Sequence, residues 1–243
     1  AILDGKIQIG LDPEILDDFA KLQNVEKVSS INLDSTIFSK KPGGTTVSGS
    51  LRICKLASIS VFVTGGIGGV HRDVSESMDV SSDLQAIKES GIITVCAGPK
   101  TILDISKTYE LLETLSIPAF SYRQNNLPAF WYRDTELQST HRVESPEAIA
   151  KIYSIARSVN CCNGLLLCNP IPKKYSLDQM YLEPLILNGV MELKKANITG
   201  KELTPSLLKY LVEKTNGKTL LSNIELIKNN AVLGAKVAKA LDH

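Results

Sequence analysis

The apolar run Ile59-Ser60-Val61-Phe62-Val63 stops abruptly at Thr64-Gly65-Gly66-Ile67-Gly68-Gly69, and this break constrains the fold more than any other stretch. A short apolar run bounded by glycines reads as a buried strand. In open α/β sheets ligands gather at the carboxyl ends of strands, where glycines let the backbone approach and offer successive N–H groups to an anion. His71-Arg72 and the carboxylates Asp73, Glu76, Asp79 and Asp83 follow directly. Oxygen donors of this kind suit a hard divalent cation, Mg²⁺ or Mn²⁺, better than Zn²⁺. An anion site beside a cation site points to a phosphorylated substrate.

Helical and strand-like segments alternate through the rest of the chain. Lys6–Gly10, Val25–Ser29, Gly91–Ala97, Ile117–Tyr122 and Gly164–Cys168 have strand patterns. Pro13–Leu22, Ser48–Ala57, Asp83–Glu89, Ile102–Leu115, Pro146–Val159, Asp178–Lys195, Thr204–Thr215 and Ser222–Leu241 have helical ones, with Asp12 and Ser145 as N-caps. Lys41–Val47 reads as a glycine-rich loop entering a helix, a second natural anion site. Alternation without a repeat or long linker predicts a single domain over residues 1–243, a three-layer α/β/α arrangement around a central mixed sheet.

A net charge of +1 gives no electrostatic case for nucleic acid or an anionic membrane. No apolar run approaches the roughly 20 residues needed to span a bilayer. The five cysteines lack a metal-like spacing and read as reduced, mostly buried thiols of a cytoplasmic compartment. Asn197-Ile198-Thr199 fits a glycosylation sequon, a frequent chance triplet.

Lys100 is the sharpest single candidate. It follows a buried strand and a glycine, at the first turn of an expected helix. The macrodipole and partial burial would both weaken its ammonium form, as Schiff-base chemistry on a carbonyl requires. Asp79 and Asp83, four apart, share a face if the helix extends back to Asp79. Arg72 could grip a phosphate bidentately, and His71 could serve as acid, base or supporting partner. His141 and His243 have no such setting. Gly66-Ile67-Gly68 is not completed to a dinucleotide fingerprint, because His71 occupies the third glycine position, and neither a P-loop nor a G-x-S-x-G turn is present.

Thr64–Arg72 (TGGIGGVHR), Asp79–Leu84 (DVSSDL) and Cys96–Lys100 (CAGPK) together resemble the pseudouridine-5′-phosphate glycosidase, or indigoidine synthase A-like, family. EKVS at Glu26–Ser29, GGTTV at Gly43–Val47, PAF at Pro128–Phe130, NPIP at Asn169–Pro172 and SN…NNA from Ser222 to Ala231 add to the resemblance in order. The resemblance implies reversible cleavage of the C–C glycosidic bond of pseudouridine 5′-phosphate to uracil and ribose 5-phosphate. It places a lysine imine of ring-opened ribose on Lys100 and proton transfer at Asp83. It puts Mn²⁺ on Asp79 and substrate contacts at Lys27, Val47, Ser81, Ser82, Asp83 and Asn223, in a homotrimer.

The family's proton-donating glutamate lies in an ALEST-like motif that would precede Ala1, so a fragment of a longer chain is expected. Asp73 and Pro99 stand where the family usually has glycine and a smaller residue. A phosphosugar-binding relative without catalysis is the second reading, and an unrelated aldolase-like enzyme using Lys100 is the third.

Overall fold

The computed structural model describes residues 1–139, 141–198 and 200–241, the Lys201 side chain apart. The sequon at Thr199 and the reading of His243 lie outside the described residues. In chain order the elements begin with β1 (Ile2–Leu3), β2 (Lys6–Ile7), α1 (Pro13–Lys21), β3 (Glu26–Val28), α2 (Leu33–Ser39), β4 (Gly43–Thr45) and α3 (Val47–Leu56). The middle of the chain forms β5 (Val61–Val63), α4 (Val74–Ser77), α5 (Asp83–Ser90), β6 (Ile93–Cys96), α6 (Ile105–Thr114) and β7 (Ala119–Tyr122). β8 (His141–Val143), α7 (Pro146–Ser158), β9 (Leu165–Cys168), α8 (Gln179–Lys195), α9 (Leu203–Lys214) and α10 (Lys218–Leu241) complete it.

Five strands form the main sheet in the order β5-β6-β9-β7-β8, parallel at every pairing. The expected α/β architecture is present, but the mixed pairing falls on a small outer sheet, β2-β1-β4-β3, and not on the central one. The reason is burial: β6 and β9 are buried at every residue, as strands covered on both faces by crossover helices must be. Ile93, Val95, Leu165 and Leu167 pack with Ile149 of α7 and Leu233 and Val237 of α10 on one face. Cys96, Leu166 and Cys168 face the other way, onto Leu51 of α3, Leu84 and Ile87 of α5 and Leu112 of α6. Two helical layers thus sandwich the sheet.

The local differences from expectation have simple causes. Ser145 caps α7 by accepting from the Ala148 N–H at 3.2 Å, whereas Asp12 precedes α1 without a side-chain cap bond. Gly43–Thr45, read as loop, is a strand because its glycines let β4 pass close to its neighbours: a Cβ on Gly43 would meet the Val28 side chain at 2.5 Å. β8 is an edge strand of three residues, two of them exposed and charged or polar, and carries no alternating apolar signal. α6 starts at Ile105 with Asp104 accepting from the Lys107 N–H, and Thr101–Leu103 forms a turn instead of helix.

The carboxyl ends of β5, β6 and β9 open toward one region. A third cluster closes over it, built from Ala129–Tyr132, Ile171, and apolar residues of α8, α9 and α10. Among the described residues no helix is long and apolar enough to cross a membrane.

Candidate functional site

Asp83 stands at the first turn of α5, 5 % exposed. Its two carboxylate oxygens are held from two different elements. Oδ1 accepts from the Ser48 N–H at the start of α3, and Oδ2 accepts from the Gly68 N–H, each at 2.9 Å. The two anion sites that the sequence places at the glycine loop and at the entry to α3 therefore converge on one internal anion, the Asp83 carboxylate. Each oxygen accepts one backbone bond and keeps lone-pair capacity for another.

The glycine loop serves this packing. None of Gly65, Gly66, Gly68 and Gly69 has a positive φ, so conformation does not demand them; space does. A Cβ on Gly68 would lie 2.8 Å from Asp83 Oδ2 and 2.6 Å from Ser81 Cβ. The loop's N–H groups are partly spoken for: Ile67 donates to the Gly98 carbonyl and Val70 to Thr108 Oγ1. Gly98 is the position where conformation does matter, with φ at +94° and the Pro128 backbone where a Cβ would go.

Around Asp83 runs a web of hydroxyls. Thr46 caps α3 by accepting from the Gly49 N–H, and Ser48 Oγ lies 3.0 Å from Thr46 Oγ1 and 3.1 Å from Ser82 Oγ. Ser81 Oγ accepts from the Asp83 N–H at 3.2 Å. Val47, a proposed substrate contact, begins α3 with its side chain in the core, which leaves its backbone as the part able to face a ligand.

Lys100 lies in the turn between β6 and α6, five residues before Ile105, so the helix macrodipole is not what acts on it. Burial is: it pushes the amine below the usual lysine range, against the attraction of Asp83 and with the repulsion of Lys27. The main chain of Lys100 is pinned, its N–H donating to the Ile67 carbonyl at 3.1 Å and its carbonyl accepting from the Leu103 N–H at 2.9 Å.

Asp79 and Asp83 do not share a helical face, because α5 begins only at Asp83 and Asp79 lies in the preceding loop. Asp79 turns instead to His71: Oδ2 is 3.8 Å from His71 Nε2, and the His71 N–H donates to the Asp79 carbonyl at 3.1 Å. Asp73 is drawn away by Lys194 of α8, at 2.8 Å, and the attraction holds its carboxyl below the usual range. Among the described residues no three histidine, cysteine or carboxylate side chains converge as a ligand set. The half-exposed Asp79 carboxylate with an imidazole beside it fits a largely hydrated hard cation that completes its shell with water and substrate oxygens, and does not fit a closed cage.

A cleft of about 870 Å³ is lined by Lys27, His71, Asp79, Ser81, Lys194 and Thr204, among others. Asp83 and Lys100 do not line it; Ser81 joins it to Asp83 by hydrogen bond, and Lys27 to Lys100 by charge. Asn223 of α10 accepts from the Trp131 indole N–H at 2.7 Å, which brings the last helix to the same end of the sheet.

Arg72 has partners the sequence gives no sign of. Its guanidinium donates to both oxygens of Glu183 on α8 and to the carbonyls of Thr101 and Ile102. Glu183 lies outside every motif, and Trp131 and Tyr132 are marked in the sequence only by the aromatic run Phe130–Tyr132 within Asn126–Arg133. Of the five cysteines Cys54, Cys96 and Cys168 are buried as expected, while Cys161 and Cys162 are exposed, on the turn after α7.

Comparison with known proteins agrees with this architecture. The model of the family described as indigoidine synthase A like protein matches residues 1–240. The chain is 44% identical over 242 residues to a pseudouridine-5′-phosphate glycosidase of Staphylococcus aureus strain MW2, covering 100% of this chain and 79% of the relative. It is 44% identical to the protein of the same name from Petrotoga mobilis, over 98% of this chain and 78% of that one. Among solved structures, the indigoidine synthase A-like protein of Thermotoga maritima superposes with a TM-score of 0.93 at 36% identity, covering 100% of this chain and 80% of the other. The prealnumycin C-glycosynthase AlnA, solved with ribulose 5-phosphate, superposes with a TM-score of 0.91 at 30% identity, over 99% and 79% of the two chains. A match across almost the whole chain, with a common fold, makes this protein a member of the indigoidine synthase A-like family.

Proposed function

We propose that the chain cleaves the C–C glycosidic bond of pseudouridine 5′-phosphate reversibly, giving uracil and ribose 5-phosphate, with Lys100 carrying C1 of the opened sugar. The observation that carries the reading is the partly buried amine of Lys100, weakened by desolvation and acted on by the charges of Asp83 and Lys27, in a chain whose relatives bear that activity's name. A structural neighbour solved with a phosphopentose supports the substrate class.

The chemistry follows from the leaving group. A base attached through carbon leaves poorly, so the sugar must supply an electron sink. As the neutral Lys100 nitrogen bonds C1, the bond from C1 to the ring oxygen breaks and that oxygen takes the proton the nitrogen gives up; the freed nitrogen lone pair then expels the base carbon, which takes a proton, and an iminium remains for water to hydrolyse. Asp83, buried and fixed in direction by two backbone donors, is placed to move protons in these steps. Lys27 and the Ser81 hydroxyl supply polar contacts for the sugar phosphate, with His71 at the cleft wall; Ser82, whose hydroxyl meets Ser48 Oγ, joins them in this reading. Asn223 takes the base end in this reading.

Mn²⁺ on Asp79 belongs to the same proposal. When bound it would neutralise charge on substrate oxygens; the chain's own part is to present one carboxylate with His71 beside it. Asp79→Asn is expected to raise the Mn²⁺ concentration that half-saturates binding by about 10-fold or more, as loss of an anionic ligand does, read by Mn²⁺ titration followed by electron paramagnetic resonance. Unchanged Mn²⁺ binding would remove Asp79 from the site. A homotrimer is also proposed, supported by exposed Leu220, Ile224 and Ile227 along one face of α10; light scattering tests it.

The direct test is incubation with pseudouridine 5′-phosphate and separation of products. Uracil and ribose 5-phosphate in equal amounts are expected; binding without release of uracil would favour the phosphosugar-binding reading. The amine's titration gives a second check. Imine formation needs neutral Lys100, so trapping rises with pH to a plateau. Asp83→Asn removes the charge that raises the Lys100 value and moves the midpoint down in pH; Lys27→Met removes the charge that lowers it and moves the midpoint up.

A further inference from the structure

Arg72 at the end of the glycine loop reads from sequence as a phosphate ligand, but its guanidinium is spent inside the protein. Nε donates to the Ile102 carbonyl at 3.0 Å and Nη2 to the Thr101 carbonyl at 2.9 Å. Glu183 receives the other edge, Oε1 from Nη1 and Oε2 from Nη2, the latter at 3.2 Å. Of five guanidinium N–H donors, one is left, and a phosphate arriving there would meet the Glu183 carboxylate.

Thr101 and Ile102 are the two residues after Lys100. Their turn is held on its other sides as well: Thr101 Oγ1 donates to the Ala129 carbonyl at 2.9 Å and accepts from the Trp131 N–H at 3.2 Å. Glu183 is in turn met by the Tyr132 hydroxyl at 3.4 Å. Burial, with the negative charge of Glu183, pushes the Tyr132 phenol well above the usual range, so it remains a donor. Arg72 is thus a polar link from the lysine turn to α8, beside the apolar cluster that Ile102 and Leu103 share with Leu182 and Ile186, and lysine could not replace it, since a single ammonium cannot span two carbonyls and a carboxylate in one plane.

We propose that Arg72 and Glu183 are positioning residues for Lys100: the pair clamps the 100–103 turn to α8 and so fixes the approach of the Lys100 amine to the sugar carbon. This rests on the imine reading of Lys100. Neither residue contacts substrate in this account, so their loss acts on rate and not on sugar affinity.

The test is single-turnover borohydride trapping on the full chain, with ribose 5-phosphate and with unphosphorylated ribose, in wild type, Arg72→Lys and the near-isosteric Glu183→Gln. Thermal melting establishes that each variant is folded, and Glu183→Gln carries the test if Arg72→Lys is not. The saturating rate is expected to fall about 10- to 100-fold, the scale of a small misplacement of a reacting group. The half-saturating sugar concentration should stay within about twofold of wild type, and the fall should be the same for both sugars. A rise in half-saturation for ribose 5-phosphate alone would make Arg72 a phosphate ligand and overturn the proposal. So would wild-type rates in folded variants. If wild type itself forms no adduct on Lys100, the imine reading fails first, and this proposal with it.

Discussion

Lys100→Met is expected to eliminate the trapped sugar adduct and to lower turnover by about 10³-fold or more, the scale seen when a covalent nucleophile is removed. The same substitution should leave stability at neutral pH unchanged or raised. Burial holds the Lys100 amine below its ordinary value of 10.5, so the unfolded chain binds more protons between the depressed value and about 10.5. Stability from this group therefore rises with pH through that window and is at its poorest below it. Methionine keeps the length of the side chain and removes the charge, so urea unfolding of the variant should lose that component of the rise.

Gly68→Ala is the second large effect. The added methyl meets Ser81 and stands 2.8 Å from Asp83 Oδ2, where no Cβ can sit without movement. Backbone and carboxylate must part, breaking the Gly68 N–H bond to Asp83 and shifting the group proposed to move protons. We expect turnover to fall about 10²-fold and stability to fall by about 1–3 kcal/mol, typical of overpacking. The control is Gly10→Ala: it has a positive φ but open space around it, away from the cleft, so it should cost stability through backbone strain while leaving turnover intact. Steady-state turnover beside denaturant midpoints checks both.

The sequence was most informative where one signal dominated. β6, apolar but for Thr94, β9, an unbroken apolar run, and the capped helix α7 were legible because burial on two faces and an N-cap leave direct marks. The family motifs brought Lys100, Asp83, Ser81 and Lys27 to one end of the sheet. What was illegible depended on distant partners. Glu183 sits in α8, 111 residues from the arginine it holds, and nothing local distinguishes it from a solvated helix carboxylate. The glycine loop's N–H groups could serve a ligand or the protein itself, and only the folded position of Asp83 decides between them. The same holds for Asp79 and Asp83: spacing allowed a shared helical face, but α5 starts only at Asp83, with Ser82 at its N-cap.

The most direct measurement is intact and peptide mass spectrometry of the protein after borohydride reduction in ribose 5-phosphate. The account predicts one reduced pentose phosphate per chain, attached at Lys100 and absent from Lys100→Met. No adduct, or an adduct confined to Lys27 or another exposed lysine, would contradict it.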